Sequence, residues 1–161
     1  MRVGFSKDIH KLVKGRKLIL GGIIIPSEFG EEAHSDGDVL LHAIGEAMLG
    51  ALALGDLGTH FPDNDPKYKD IDSSKLIVEI MSMINSKHYV INNVDAFISL
   101  EAPKLKGYIK DIQSNVARLL RVHTNKVSIK AGTNEKMGPV GEGKAIEAYA
   151  IISLKKKLLV R

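Results

Sequence analysis

The sequence contains no cysteine. Disulfides and thiolate metal sites are therefore excluded. A reducing compartment is compatible with that absence. Tryptophan is also absent, and there are only 4 Phe and 4 Tyr, so platforms for stacked bases are scarce. No apolar run approaches the roughly 20 residues that a membrane helix needs. The first residues, Met-Arg-Val-Gly-Phe-Ser-Lys-Asp, lack the long apolar stretch and small-residue cleavage site of a secretory signal. A cytoplasmic location is expected, or a plastid-type organelle where a transit peptide has been removed. The formal charge of +4 helps to attract an anionic ligand but is too mild to argue for nucleic acid. Repeats, low-complexity tracts and linkers are lacking as well.

What is present suits one domain over 1–161. Hydrophobic residues make up 44% of the chain, which argues against disorder, and the length is enough to bury a core. Residues 2–10 alternate loosely and predict a strand. Residues 17–25 predict two short strands turning at Gly21-Gly22. The Leu-, Ala- and Met-rich stretch 38–54 predicts a largely buried helix. Residues 55–72, with Gly55, Gly58, Pro62, Pro66 and five aspartates, predict a long functional loop. A helix follows over 73–86, with Leu76, Ile77, Ile80, Met81 and Ile84 on one stripe. A strand over 89–100 is broken at Asn92-Asn93, and a third helix runs from Pro103 to about Arg121. Strands at 126–132 and 145–155 flank a glycine-rich loop. This mixture gives an α+β (α/β mixed) domain.

The densest chemistry lies in His34-Ser35-Asp36-Gly37-Asp38-Val39-Leu40-Leu41-His42. Two histidines and acidic groups meet the start of an apolar helix there. Asp8-x-His10 lies upstream. Residues two apart on a strand share a face, about 6.6 Å apart along the backbone, so both can reach one cation. His42 is then a third candidate, and one carboxylate with two imidazoles leaves a fourth position open, as a catalytic zinc site requires. The donors suit Zn²⁺, Mn²⁺ or Co²⁺ alike. Asp38 or Glu46, each one turn from His42, can orient its ring. A blander reading makes Asp8 and His10 surface groups and His42 a core histidine. Ser35 and Asp38 also fit a capping box, and free N–H groups at that helix start can bind phosphate, with His34 and Ser35 adding donors. Glu135, beside Thr133 and Lys136, suits a phosphate–metal bridge or merely a charged turn. Gly138-Pro139-Val140-Gly141-Glu142-Gly143-Lys144 mimics a P-loop, but Ala145 follows where a hydroxyl is needed and a strand where a helix is needed.

Asp8-x-His10, HSDGDVLLHA (34–43), GDLGTHFPDNDPKYK (55–69), EAPKL (101–105) and TNEKMG (133–138) occur in an order and spacing that resemble the 2-C-methyl-D-erythritol 2,4-cyclodiphosphate synthase family of the non-mevalonate isoprenoid pathway. The resemblance covers nearly the whole chain. It implies a four-stranded sheet faced by helices and a homotrimer packed around a threefold axis, with active sites between subunits. It implies cyclisation of 4-diphosphocytidyl-2-C-methyl-D-erythritol 2-phosphate with release of CMP. Asp8, His10 and His42 would hold Zn²⁺ or another divalent cation, and Glu135 would hold Mg²⁺ or Mn²⁺ together with substrate phosphates. His34 and Thr133 would stabilise the transition state, and Ser35 would bind a phosphate. Asp56, Leu57, Gly58 and the segment Phe61, Pro62, Asp63, Asn64 and Asp65 would hold the erythritol part. Leu100, Glu101, Ala102, Pro103, Lys104, Leu105, Lys106, Ala131, Gly132 and Asn134 would hold the cytidylyl part. At this length there is no room for a cytidylyltransferase domain.

The chain departs from the family pattern in places. Glu46 replaces a frequent Asp, and Leu100-Glu101 and Lys106-Gly107 are unusual. Around the expected trimer axis, Pro139, Glu142 and Lys144 stand where Phe, Arg and Glu are common. Exchanging Arg for Glu142 removes a cationic phosphate partner, so no isoprenoid diphosphate is expected on the axis. Two other classes stay open on the residues alone: a metal-dependent phosphoester hydrolase and a non-catalytic anion- or nucleotide-binding trimer.

Overall fold

A computed structural model describes residues 1–157; residues 158–161, the end of the expected domain, lie outside the described residues. The strands are β1 (Arg2–Lys14), β2 (Leu18–Leu20), β3 (Ile23–Ile25), β4 (Phe29–Glu32), β5 (Tyr89–Ser99), β6 (Val127–Gly132) and β7 (Ala145–Lys156). The helices are α1 (Val39–Ala51), α2 (Leu57–His60), α3 (Ser73–Ser86), α4 (Ile109–Leu119) and α5 (Gly138–Gly141). The main sheet has five strands in the order β4-β1-β7-β5-β6, not the four expected. The added strand is β4. Its sequence, Phe-Gly-Glu-Glu, has neither the alternation nor the apolar content that marks a strand. It forms because Gly30 lets it pass close beside the chain at Arg16 and Lys17, where any Cβ would meet backbone within 2.4 Å.

All pairings are antiparallel except β5 with β6, which α4 joins as a crossover. The break at Asn92-Asn93 is a register shift inside one continuous strand. The separate β2–β3 hairpin turns on Gly21 and Gly22, both at positive φ, as a tight two-residue turn requires.

Helix α1 packs on the sheet and is buried on nearly all sides, so its residues are apolar or small except for His42 and Glu46, which are half-buried. They lie four residues apart and share one face. Helix α3 keeps its predicted stripe inward. Helix α4 starts at Ile109 rather than Pro103: residues 100–108 stay irregular, anchored by buried Leu105 and its carbonyl bond to Tyr108 N. Gly4 decides where α1 sits. A Cβ there would lie 1.9 Å from the Ala47 carbonyl oxygen and 2.7 Å from Ala51 N. Only glycine lets the helix lie this close to the strand that carries Asp8 and His10. Among the described residues no helix covers the opposite sheet face, which exposes Val3, Phe5, Ile9 and Ile151. Among the described residues no helix is long and apolar enough to cross a membrane.

Candidate functional site

Strand alternation sends Asp8 and His10 to the α1 side of β1, and the first turn of α1 brings His42 over them. His10 Nε2 lies 3.1 Å from Asp8 Oδ2. His42 Nδ1 lies 3.4 Å from Asp8 Oδ2 and 3.4 Å from His10 Nε2. Atoms bound at about 2.0–2.1 Å to one tetrahedral cation stand about 3.3–3.4 Å apart. The three ligand atoms form a triangle with edges of 3.1, 3.4 and 3.4 Å, close to that spacing, so Asp8, His10 and His42 are close enough to hold a metal ion.

The rest of each ring is committed, and this fixes which nitrogen faces the triangle. His10 Nδ1 is 2.8 Å from the Gly37 carbonyl oxygen and 2.8 Å from Glu31 Oε2. Both are acceptors, so Nδ1 carries a hydrogen and Nε2 is the ligand atom. Ser73 Oγ donates to Asp36 Oδ1 at 2.5 Å and lies 2.9 Å from His42 Nε2. With its own proton spent on Asp36, Ser73 accepts from His42 Nε2–H, which leaves Nδ1 as the ligand atom. Ser35 Oγ lies 3.1 Å from the same Nε2 and accepts from Gly37 N.

Charge follows geometry. Burial alone would lower the pKa of His10, but its hydrogen bonds to Asp8 and Glu31 hold it up near 10. Burial pushes the other way on Asp8, yet the two imidazoles keep its carboxyl below the usual range. Burial pushes Glu31 up to about 7 despite its contact with His10. A cation taking His10 Nε2 therefore displaces a proton.

Two expectations about this segment are corrected. The N-cap of α1 is Asp38, which accepts from Leu41 N, whereas Ser35 turns the preceding loop. Neither Asp38 nor Glu46 touches the His42 ring. Asp38 is fully buried and accepts from Gly21 N and Gly22 N, and Glu46 accepts from Leu57 N.

The triangle borders a cavity of about 410 Å³ also lined by His34, Ser35, Glu46, Leu57, Gly58, Phe61 and Asp63. Its remaining wall includes Lys7, Tyr68 and Ile71, which the sequence did not single out. Asp56 caps α2 through Thr59 N, and Asp65 caps the 3-10 turn Pro66–Tyr68. Pro62 and Asn64 complete that loop without lining the cavity. Asp70 N bonds to the His34 carbonyl and Asp36 N to that of Ile71, tying the two loops together.

A second cavity of about 410 Å³ is lined by Leu100, Pro103, Lys104, Leu105, Lys106, Ala131, Gly132 and Thr133. Glu101 and Asn134 support it from behind: Asn134 N donates to Glu101, and Ser99 Oγ donates to Asn134. Ala102 is exposed in the turn between. Glu135 is exposed, with Thr133 Oγ1 donating to its Oε1 at 3.1 Å. The residues lining the two cavities do not overlap. Pro139 lies in α5, and exposed Glu142 pairs with Lys144. A strand follows where a P-loop needs a helix.

Fold and site together define a class: an α+β protein that gathers one carboxylate and two imidazoles where a buried helix meets a sheet. The chain belongs to the YgbB family, whose model matches residues 1–155. Over 156 residues it is 53% identical to the 2-C-methyl-D-erythritol 2,4-cyclodiphosphate synthase of Desulforamulus reducens, covering 97% of this chain and 99% of that relative. A solved 2C-methyl-D-erythritol-2,4-cyclodiphosphate synthase with CDP bound superposes with a TM-score of 0.89 at 32% identity, covering 96% of this chain and all of that one. The bifunctional IspDF of Campylobacter jejuni superposes at 0.92 with 34% identity; there the match covers 96% of this chain and 42% of the longer one.

Proposed function

We propose that this chain is a 2-C-methyl-D-erythritol 2,4-cyclodiphosphate synthase, a cyclising phosphorus–oxygen lyase of isoprenoid precursor synthesis. The observation that carries the proposal is the Asp8–His10–His42 triangle at the edge of a polar cavity. The substrate is 4-diphosphocytidyl-2-C-methyl-D-erythritol 2-phosphate. An oxygen of its 2-phosphate attacks the β-phosphorus and closes the ring with a new P–O bond. The bond from that phosphorus to the oxygen shared with the cytidylyl phosphate breaks, and CMP leaves with that oxygen and the electron pair. The substrate carries its own nucleophile, which suits a chain without cysteine.

Attack of one phosphate on another meets like-charge repulsion. Divalent cations, Zn²⁺ at the triangle and Mg²⁺ or Mn²⁺ at Glu135, supply charge neutralisation when bound. Glu135 and the Thr133 hydroxyl are hard oxygen donors of the kind that share Mg²⁺ with substrate phosphates. His34 and Ser35 donate to phosphate oxygens at the start of α1, and Thr133 does so from the other side. The wall from Asp56 to Asp65 holds the erythritol part, and residues 100–106 with 131–134 hold the cytidylyl part. Holding both phosphates in one place lowers the barrier by several kcal/mol, on the order of an effective-molarity gain.

Because the two cavities share no lining residue within one chain, we place the complete site between neighbouring subunits of a homotrimer. The apolar helix-free face offers the surface for it. Lys144 is paired with Glu142 at 2.6 Å, so this part of the assembly is not assigned to a lipid diphosphate.

³¹P NMR of the protein with substrate and Mg²⁺ tests the reading. Paired cyclic diphosphate signals with equimolar CMP are expected. Inorganic phosphate would mean a hydrolase, and an unchanged substrate a binding protein; either overturns the proposal. His42→Ala should reduce turnover to background with its circular dichroism unchanged, and near-normal turnover would remove His42 from the site.

A further inference from the structure

We propose that Glu31 is a positioning residue for the cation site, a buried carboxylate that clamps His10 through Nδ1–H and tightens divalent-cation binding without touching the ion. Glu31 and Glu32 are adjacent on β4 and point to opposite sides. Glu32 is exposed and pairs with Lys11 at 3.4 Å. Glu31 is 0% exposed, and its salt-bridge partner among the described residues is His10. Its Oε2 accepts from His10 Nδ1 at 2.8 Å and from Val39 N at 2.9 Å. Its Oε1 is buried with no hydrogen-bond partner among the described residues.

Packing does not call for this residue. A buried carboxylate oxygen without a hydrogen bond is costly, and an aliphatic side chain of similar size would avoid that cost, leaving only Val39 N–H to be satisfied another way. What the carboxylate provides is placement at the cation site. One oxygen holds both His10, on β1, and Val39, three residues before His42 on α1. Glu31 thus braces the two elements that carry the ligands. The Gly37 carbonyl already accepts from Nδ1, so the tautomer of His10 does not depend on Glu31 alone. The added contribution is a second acceptor on Nδ1–H, which fixes the ring more firmly and makes Nε2 more electron-rich.

This inference rests on the metal reading of Asp8, His10 and His42, and the experiment separates the two. Wild type, Glu31→Gln and Glu31→Leu are stripped with EDTA and titrated with Co²⁺ by visible absorption, then with Zn²⁺ against a competing chelator. Glu31→Gln should bind about 10-fold more weakly and Glu31→Leu about 100-fold, the range that such supporting carboxylates contribute, with a shifted Co²⁺ band in both. Metal-free Glu31→Gln should melt close to wild type, because its amide oxygen still accepts from Val39 N, whereas Glu31→Leu leaves that buried N–H unpaired and should melt lower. Unchanged affinity and spectrum in both variants overturns the role of Glu31. So does weaker binding in both that is matched by a lower melting temperature of both metal-free proteins, which would make Glu31 a structural strut only. Wild type that takes up no Co²⁺ overturns the metal reading itself.

Discussion

The carboxylate of Asp38 accepts three backbone N–H groups: Gly21 at 3.0 Å, Gly22 at 2.6 Å and Leu41 at 3.0 Å. The positive φ of both glycines turns their N–H groups toward it. Asp38 therefore caps α1 and pins the β2–β3 hairpin to the same point, four residues from His42. Asp38→Ala leaves three backbone donors unpaired, those of Gly21 and Leu41 buried, and should destabilise the fold by about 3–5 kcal/mol. Asp38→Asn keeps one acceptor oxygen and should cost about 1–2 kcal/mol. Urea unfolding measures both, and a loss below about 1 kcal/mol for the alanine variant would contradict this account. The same residue shows what single positions reveal. Asp8, His10 and His42 were legible because strand and helix periods put them on known faces. The contacts that orient their rings were not. Ser73 lies 31 residues from His42, and Glu31 lies 21 from His10. No local spacing encodes such contacts; spacing points to Asp38 and Glu46, which lie close to His42 in sequence, rather than to Ser73, Asp36 and Glu31.

At the scale of elements, the contact between β1 and α1 builds the site. Gly4 makes it possible, because the atoms a Cβ would strike are backbone atoms of α1 and cannot rotate away. Gly4→Ala must lift the helix from the strand. A destabilisation of about 3 kcal/mol or more is expected, at the upper end of overpacking costs. Zn²⁺ affinity should fall as well, since His42 rides on α1 while Asp8 and His10 stay on β1. Chemical unfolding and chelator competition on one sample check both effects; unchanged affinity would show that the triangle tolerates a shifted helix. Regular elements were the most legible part of the chain: α1, α3, β5, β6 and β7 lie close to their expected spans. The misreadings fall where tertiary contact overrides local pattern. β4 is held by its neighbours rather than by propensity. The stretch 103–108 is kept irregular around buried Leu105 instead of continuing α4 toward its N-terminus.

At the scale of the molecule, the unanswered demand is the helix-free sheet face. Phe5 stands opposite Ile151 across β1 and β7, and both are exposed, with Val3 and Ile9 nearby. Neighbouring apolar groups of this size on one face suit the subunit interface proposed above. The sequence offered only apolar strands whose second faces need burial; which partner buries them is not written in a single chain's periodicity. Phe5→Glu discriminates sharply. In an isolated chain the position is 64% exposed, and the charge should be tolerated with little loss of stability. In the proposed homotrimer it places three glutamates in a desolvated contact. Sedimentation should then shift from the mass of three chains toward one. Zn²⁺ binding should persist, because Asp8, His10 and His42 come from the same chain. Turnover should collapse, because the cavity at 100–106 would no longer meet the cavity of a neighbour. A variant that stays trimeric would remove this face from the interface, and a monomer with full turnover would place the whole reaction within one chain.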